Sequence, residues 1–141
     1  MDIINYMEIN NMDKKIIKYN EDGGLRLENN NLTSLKGCPQ NLNTGFYCDY
    51  NKLASLKGGP KKVIGNFDCS NNQLTSLNEC PKEIWGDFVC SGNKISKNDL
   101  LDYLKKAKIR KGISTDYGDF DSQSEAIEKL SGTIKENCFN Y

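Results

Sequence analysis

Histidine is absent from this chain of 141 residues. Without an imidazole, a Ser-His-Asp triad, a Cys-His pair and a histidine metal site are all excluded. Net charge is missing as well, because Lys+Arg and Asp+Glu each total 19. A balanced chain is not expected to bind nucleic acid or an anionic membrane through its overall charge.

Long apolar runs and a secretion signal are also missing. The apolar stretches are too short to span a bilayer, and the first residues, MDIINYMEINN, contain neither a basic nor an apolar signal segment. The six cysteines include no Cys-x-x-Cys pair of the kind used in zinc and redox sites. We therefore expect a cytoplasmic protein with reduced thiols, no metal and no cofactor.

An internal repeat with a constant period of 21 residues dominates the chain. Four segments align without gaps: LRLENNNLTSL from Leu25, FYCDYNKLASL from Phe46, FDCSNNQLTSL from Phe67 and FVCSGNKIS from Phe88. The recurring columns are Leu25/Phe46/Phe67/Phe88, Leu27/Cys48/Cys69/Cys90, Asn30/Asn51/Asn72/Asn93, Leu32/Leu53/Leu74/Ile95, Leu35/Leu56/Leu77, Pro39/Pro60/Pro81 and Leu42/Val63/Ile84. A fixed period over so many columns predicts stacked units, each of which buries its apolar face against the next.

Each column has a physical interpretation. Phe-x-Cys places two apolar side chains on one face of a short strand, and the residue between them on the other face. The Asn three residues after Cys is expected to bond nearby backbone groups where the chain leaves the strand. The prolines are expected to keep the returning segment out of helices and out of sheet pairing.

These residues resemble the leucine-rich-repeat pattern L-x-L-x-x-N-x-L-x-x-L, with Phe and Cys at two leucine positions. The segment from Cys80 to Phe88 is similar to a 21-residue variant found in short proteins of bacteriophages and bacteria. The resemblance covers residues 17–96, and Thr44 departs from it where Gly65 and Gly86 stand in the next repeats. It implies an α+β fold, namely a short leucine-rich-repeat solenoid of about four coils with parallel strands on the concave face.

The flanks complete the predicted organisation: an N-terminal cap over residues 1–24, the solenoid over 25–96, and a C-terminal helical extension over 97–141. Residues 15–19, the turn-like 20–23 and 24–27 favour a hairpin-like cap. Ser96 followed by Asp99 predicts a helix that ends near Gly112 and caps the array. Ser122 predicts a second helix reaching Ile134, joined through a loop over 115–121, which either caps the solenoid or contacts a partner.

The cysteines allow more specific functional interpretations, such as a metal site, disulfides or catalysis. Because Leu27 occupies the same column as Cys48, Cys69 and Cys90, we expect buried apolar thiols rather than a metal site or disulfides. Some bacterial leucine-rich-repeat proteins are ubiquitin ligases with a catalytic cysteine in a further domain, but too few residues follow these repeats to form one. Cys138 would be the exposed thiol, with no histidine to activate it, so we expect no enzyme.

Two runs of charged residues also allow either a functional or a purely structural interpretation. The acidic run Asp116, Asp119, Asp121 and Glu125 lacks the spacing of a calcium loop, which favours a solvated, helix-capping loop. The basic run of Lys105, Lys106, Lys108, Arg110 and Lys111 on the first helix favours a solvated face over contact with nucleic acid or an acidic partner.

The predicted partner site is the outward, concave side of the strands, where residues vary between repeats. Tyrosine and arginine there are typical of interface centres. The predicted members are Arg26, Glu28, Tyr47, Asp49, Tyr50, Asp68, Ser70, Asp87 and Val89.

The functional hypothesis is a non-enzymatic protein–protein interaction module, encoded by a phage and engaging a host or phage protein, with inhibition as one form of that binding. The alternative is a structural subunit or decoration of a larger phage or bacterial assembly that self-associates, so a homo-oligomer stays open. Small-molecule substrates, nucleic acid and membranes are not expected partners.

Overall fold

The computed structural model describes residues 18–19 and 24–132, with side chains from residue 24 onward. In this part of the chain the fold is α+β, with two sheets of short strands and two helices. The strands are β1 Lys18–Tyr19, β2 Leu25–Arg26, β3 Asn41–Leu42, β4 Phe46–Tyr47, β5 Lys62–Val63, β6 Phe67–Asp68, β7 Glu83–Ile84, β8 Phe88–Val89, β9 Lys108–Ile109, β10 Ile113–Thr115 and β11 Gly118–Phe120. The helices are α1 Lys97–Lys106 and α2 Gln123–Leu130.

The long sheet has 7 strands in the order β1-β2-β4-β6-β8-β10-β11. Its strands from β2 to β10 are parallel, and equivalent positions pair in register, as Leu25 with Phe46 and Phe67 with Phe88. We call each repeat a coil; equivalent residues of successive coils lie side by side in this sheet. The predicted N-terminal hairpin is confirmed in its backbone pairing, because β1 runs antiparallel to β2, while its turn at residues 20–23 lies outside the described residues.

The short sheet has 4 parallel strands in the order β3-β5-β7-β9. It corrects the expectation that the prolines keep the returning segment out of sheet pairing. Pro60 and Pro81 precede β5 and β7 by two residues, so the missing proline N–H is not needed in the ladder. Val63 and Ile84 then point inward and are fully buried.

Stacked apolar columns from both sheets form the core. The rings of Phe46 and Phe67 lie 5.7 Å apart between centroids, and those of Phe67 and Phe88 lie 6.2 Å apart. Tyr103 of α1 extends this column, 5.4 Å from Phe88, and its hydroxyl donates to the carbonyl of Pro81. The aromatic column therefore continues from the repeats into the first helix.

The asparagine column bonds backbone groups near the strand ends, as the sequence predicted, and it also joins neighbouring coils. The Oδ1 atom of Asn51 accepts from the N–H groups of Asn30 and Leu32, at 2.9 and 3.0 Å. Its Nδ2 donates to the carbonyls of Leu27 and Cys48, at 2.9 and 3.0 Å. One amide thus satisfies buried backbone groups in its own coil and in the coil before it.

The helix predicted to reach Gly112 ends at Lys106, and that prediction was wrong. Ala107 turns to extended backbone with ψ 168°, and Lys108 and Ile109 then pair with β7. Burying Ile109 beside Ile84 requires a strand at this point. The basic run is therefore split between the last turn of α1, β9 and the turn that follows.

The segment 115–121, predicted as a loop, also differs. β10 and β11 form an antiparallel hairpin with Thr115 paired to Gly118. The acidic side chains here accept hydrogen bonds from the protein: Asp116 from the N–H of Gly92 at 2.9 Å, and Asp119 from the hydroxyl of Ser114 at 2.6 Å. Both sheets therefore extend past residue 96.

The start of α2 is confirmed, since Ser122 caps it by accepting from the N–H of Glu125 at 3.2 Å. Gln123 then links the two helices: its Nε2 donates to the carbonyls of Leu104 and Ala107, and its Oε1 accepts from Ile109. The described part of α2 thus packs onto the stack, while Ile134 lies outside the described residues.

Candidate interaction surface

The outer face of the long sheet brings together most of the residues predicted as a partner site. Arg26, Tyr47, Asp68 and Val89 pair in one register column, and each is half-buried. The guanidinium of Arg26 lies 4.1 Å from the centre of the Tyr47 ring. This cation–π contact shows that the face can hold a guanidinium on an aromatic ring.

A second column begins with Glu28 and Asp49. The Oε1 atom of Glu28 lies 3.7 Å from a nitrogen of Arg26. Its other carboxylate oxygen, Oε2, is buried and has no hydrogen-bond partner among the residues that the structure describes. Partial burial and the negative charges of Asp68 and Glu28 raise the pKa of Asp49 from 3.8 to about 6. A backbone hydrogen bond to its carboxylate and, to a smaller extent, the charge of Arg26 only partly offset this rise.

Two predicted site residues have internal roles. Ser70 is buried, and both its N–H and its hydroxyl donate to Oδ1 of Asp68, at 2.9 and 2.6 Å. Asp87 immediately precedes β8, and its carboxylate accepts from the N–H of Gly112 at 2.7 Å. Asp87 therefore joins two coils at the start of the long sheet's strands. Tyr50, in contrast, lies beyond the end of its strand, β4.

Tyr50 is the most unusual residue on this surface. Its side chain is 57% exposed, and its backbone is left-handed with φ 54°. The equivalent positions in the other coils, Asn29, Asn71 and Gly92, also have positive φ, at 59°, 54° and 69°. Asparagine and glycine tolerate this conformation, whereas tyrosine in it costs roughly 1–2 kcal/mol. Comparing the four residues of this column in the sequence could have identified Tyr50 as an exception.

A second cluster, on the outer face of the short sheet, was missed by the sequence analysis. The Trp85 ring lies 3.6 Å from the guanidinium of Arg110 and 5.5 Å from the ammonium of Lys62. The indole N–H donates to Glu83 at 2.8 Å, and this bond, with the nearby cations, lowers the pKa of Glu83. The charged side chains of this cluster are thus paired with one another.

A groove of about 490 Å³ lies between α1 and the preceding loop, lined in part by Cys80, Lys82, Asp102 and Tyr103. Burial raises the pKa of Cys80, and the hydroxyl of Tyr103 is bonded to a carbonyl. Neither group is therefore prepared to act as a nucleophile.

The repeated cysteines lie inside the stack. Cys48, Cys69 and Cys90 are buried free thiols, and burial raises the pKa of Cys90 to about 12. Cys138 lies outside the described residues. Within the part of the chain that the structure describes, no group of acidic or cysteine side chains could hold a metal ion.

Among the described helices, none is long and apolar enough to cross a membrane. No protein-family model matches the chain, and neither the curated proteins nor the solved structures contain a significant match to it.

Proposed function

We propose that the chain is a short leucine-rich-repeat solenoid that acts as a non-enzymatic protein-binding module through the outer face of its long sheet. The 21-residue offset of the parallel strand pairs, the inward Phe and Cys columns and the asparagine column support the solenoid. An array of this kind presents one continuous face built from a different residue in each coil.

Tyr50 is the observation that carries the binding role. A large aromatic residue is exposed at a position where the other coils have asparagine or glycine, and its left-handed backbone costs the fold free energy. Strain of this type is concentrated at functional sites. Half-buried Arg26, Tyr47 and Asp68 lie in three successive coils, and Tyr50 belongs to the middle one. Tyrosine and arginine are enriched at interface centres.

Capture from a bacterial lysate tests the proposal, with the full chain immobilised and the bound proteins identified by mass spectrometry. Tyr50→Asn is expected to weaken capture of the main partner about tenfold, equivalent to about 1.4 kcal/mol. The same variant should unfold at a higher urea concentration than the native chain, because asparagine relieves the backbone strain.

Lys57→Ala, at an exposed position of the same coil, is the control and should leave capture unchanged. If Tyr50→Asn captures as much partner as the native chain, the binding face is wrongly assigned. Should the native chain capture no specific protein, the binding role itself is wrong.

A further inference from the structure

The two ends of the stack are closed differently. In the long sheet an antiparallel strand covers each end, because β1 pairs with β2 and β11 pairs with β10. In the short sheet the end strands are β3 and β9, and among the described strands each has a neighbour on one side only. We call the other side of β3 the N-terminal edge and the other side of β9 the C-terminal edge. What covers these edges decides whether the short sheet can add a strand.

The C-terminal edge is covered by one side chain of α2. Along the short sheet, carbonyls of one coil accept from N–H groups of the next, as Lys61 does from Lys82 at 3.0 Å. In the register of the sheet, the equivalent carbonyl beside β9 is that of Ala107, and it accepts from Nε2 of Gln123 at 2.7 Å. Oε1 of the same amide accepts from the N–H of Ile109 at 2.8 Å. The Gln123 amide therefore supplies a donor and an acceptor in place of a further strand.

The described part of α2 is attached through little apolar surface. Its buried residues are Ala126 and Leu130, and Ile127 is half-buried. Gln123 adds a hydrogen bond to the carbonyl of Leu104 at 2.6 Å, so polar contacts supply much of the attachment. Elements with few buried apolar contacts open at a lower free energy than the whole fold. Release of α2 would leave backbone groups of the C-terminal edge without their partners.

The N-terminal edge has the complementary side chains. No described strand pairs with it. Leu42 of β3 is half-buried, whereas the equivalent Ile84 is fully buried between two coils. If the N-terminal edge of a second copy paired with β9, its Leu42 would lie beside Ile109 and continue this apolar column. Asn41 would lie beside Lys108, and an uncharged amide does not repel an ammonium group. The two edges are therefore compatible in apolar contact and in charge.

We propose that α2 is an autoinhibitory cap, and that its release lets the C-terminal edge accept the N-terminal edge of a second copy of this chain. The contact is head-to-tail and can repeat, because each copy uses β9 to bind β3 of the next. It extends the parallel pairing that already joins the coils of the short sheet. The contact uses neither Tyr50 nor the outer face of the long sheet, so it is independent of the protein-binding function proposed above.

Sedimentation velocity of the full chain over a range of concentrations tests the cap. Ala126→Asp places a carboxylate on the buried face of α2 and should release the helix. Ser124→Asp adds the same side chain at an exposed position of α2 and is the matched control. Ala126→Asp should form oligomers whose mean size rises with concentration, while the native chain and Ser124→Asp should stay monomeric.

A second variant separates release of the cap from unfolding. Gln123→Ala removes the amide but keeps the apolar contacts of Ala126 and Leu130. It should self-associate at a concentration at least about tenfold lower than Gln73→Ala, which removes an exposed glutamine of the third coil. Circular dichroism shows whether each variant keeps its native secondary structure. If Ala126→Asp unfolds, the result for Gln123→Ala decides.

Mixing the associating variant with native chain tests the direction of the contact. Native chain has a capped C-terminal edge, so it should join one end of an oligomer through β3 and prevent further growth there. An excess of native chain should therefore reduce the mean oligomer size. Oligomers that native chain does not shorten would indicate non-specific association and would overturn the proposal. A folded Gln123→Ala that stays monomeric, or a native chain that self-associates, would also overturn it.

Discussion

Single residues on this protein divide into those that hold coils together and those that strain the fold. Asn51, Asn72 and Asn93 use their amides to satisfy backbone groups in two coils each. The adjacent residues Asp49 and Tyr50 strain the fold instead. Tyr50 has left-handed backbone, and Asp49 is a partly buried carboxylate near other carboxylates. Stability given up at adjacent positions is typical of a binding surface.

Asp49→Asn is expected to stabilise the protein at neutral pH. The folded-state pKa of about 6 exceeds the ordinary value of 3.8, so the folded chain binds more protons between these values. The free energy of unfolding attributable to Asp49 therefore falls as the pH rises through this window. Because the side chain is half-exposed and screened by solvent, the gain on substitution should be about 1 kcal/mol.

Urea unfolding at several pH values measures this effect. The difference in the free energy of unfolding between Asp49→Asn and the native chain should reach its full value above pH 6 and vanish below pH 3.8. Asp102→Asn on α1 serves as the exposed control and should show no such window. A difference that does not change with pH would contradict the crowding of the three carboxylates.

At the scale of elements, the stack depends on how closely successive coils approach. A Cβ atom on Gly65 would lie 2.5 Å from the backbone nitrogen of Gly45, and one on Gly86 would lie 2.6 Å from the carbonyl carbon of Gly65. These contacts are with backbone, which cannot rotate away. Gly65 and Gly86 therefore have no room for a side chain in the turns between the two sheets.

Gly65→Ala should destabilise the fold by about 1–3 kcal/mol, the usual cost of overpacking. The backbone of two adjacent coils must separate to admit the methyl group, so paired strands on both sides are affected. Thermal unfolding followed by circular dichroism measures the loss. Gly132→Ala is the control, because a Cβ there meets nothing within 4 Å; equal melting temperatures for the two variants would disprove the close approach.

For the whole molecule, one apolar core runs without a break from Leu25 to Leu130. The Phe column, the Cys column and both helices belong to it, so the fully buried thiols of Cys48 and Cys69 are reached only by opening the stack. Burial also raises the pKa of Cys38 and Cys90 to about 12, which suppresses the reactive thiolate at neutral pH. Thiol reactivity is therefore a measure of global opening.

A Cys138→Ser variant isolates the buried thiols for this measurement. In the native state they should react with iodoacetamide at least about 100-fold more slowly than in denaturant. Labelling followed by mass spectrometry gives the rate at each cysteine. Rapid native labelling of Cys48 or Cys69 would mean that the coils open locally and that the core does not act as one unit.

The repeat period, the inward columns and the role of the asparagines were all predictable from the sequence. Each depends on a residue type that recurs at a fixed spacing, because every coil needs the same type of side chain at the same position. The positions of Arg26, Tyr47 and Asp68 on one face follow from the same alternation along the strands. Residue order alone was sufficient for these features.

Tertiary structure decided the features that depend on distances between coils. Ile109 is buried beside Ile84, and this contact ends α1 at Lys106 and continues the short sheet. The crowding of Asp49 arises where carboxylates from different coils meet. These features depend on contacts between residues that are distant in sequence, so no local sequence pattern predicts them.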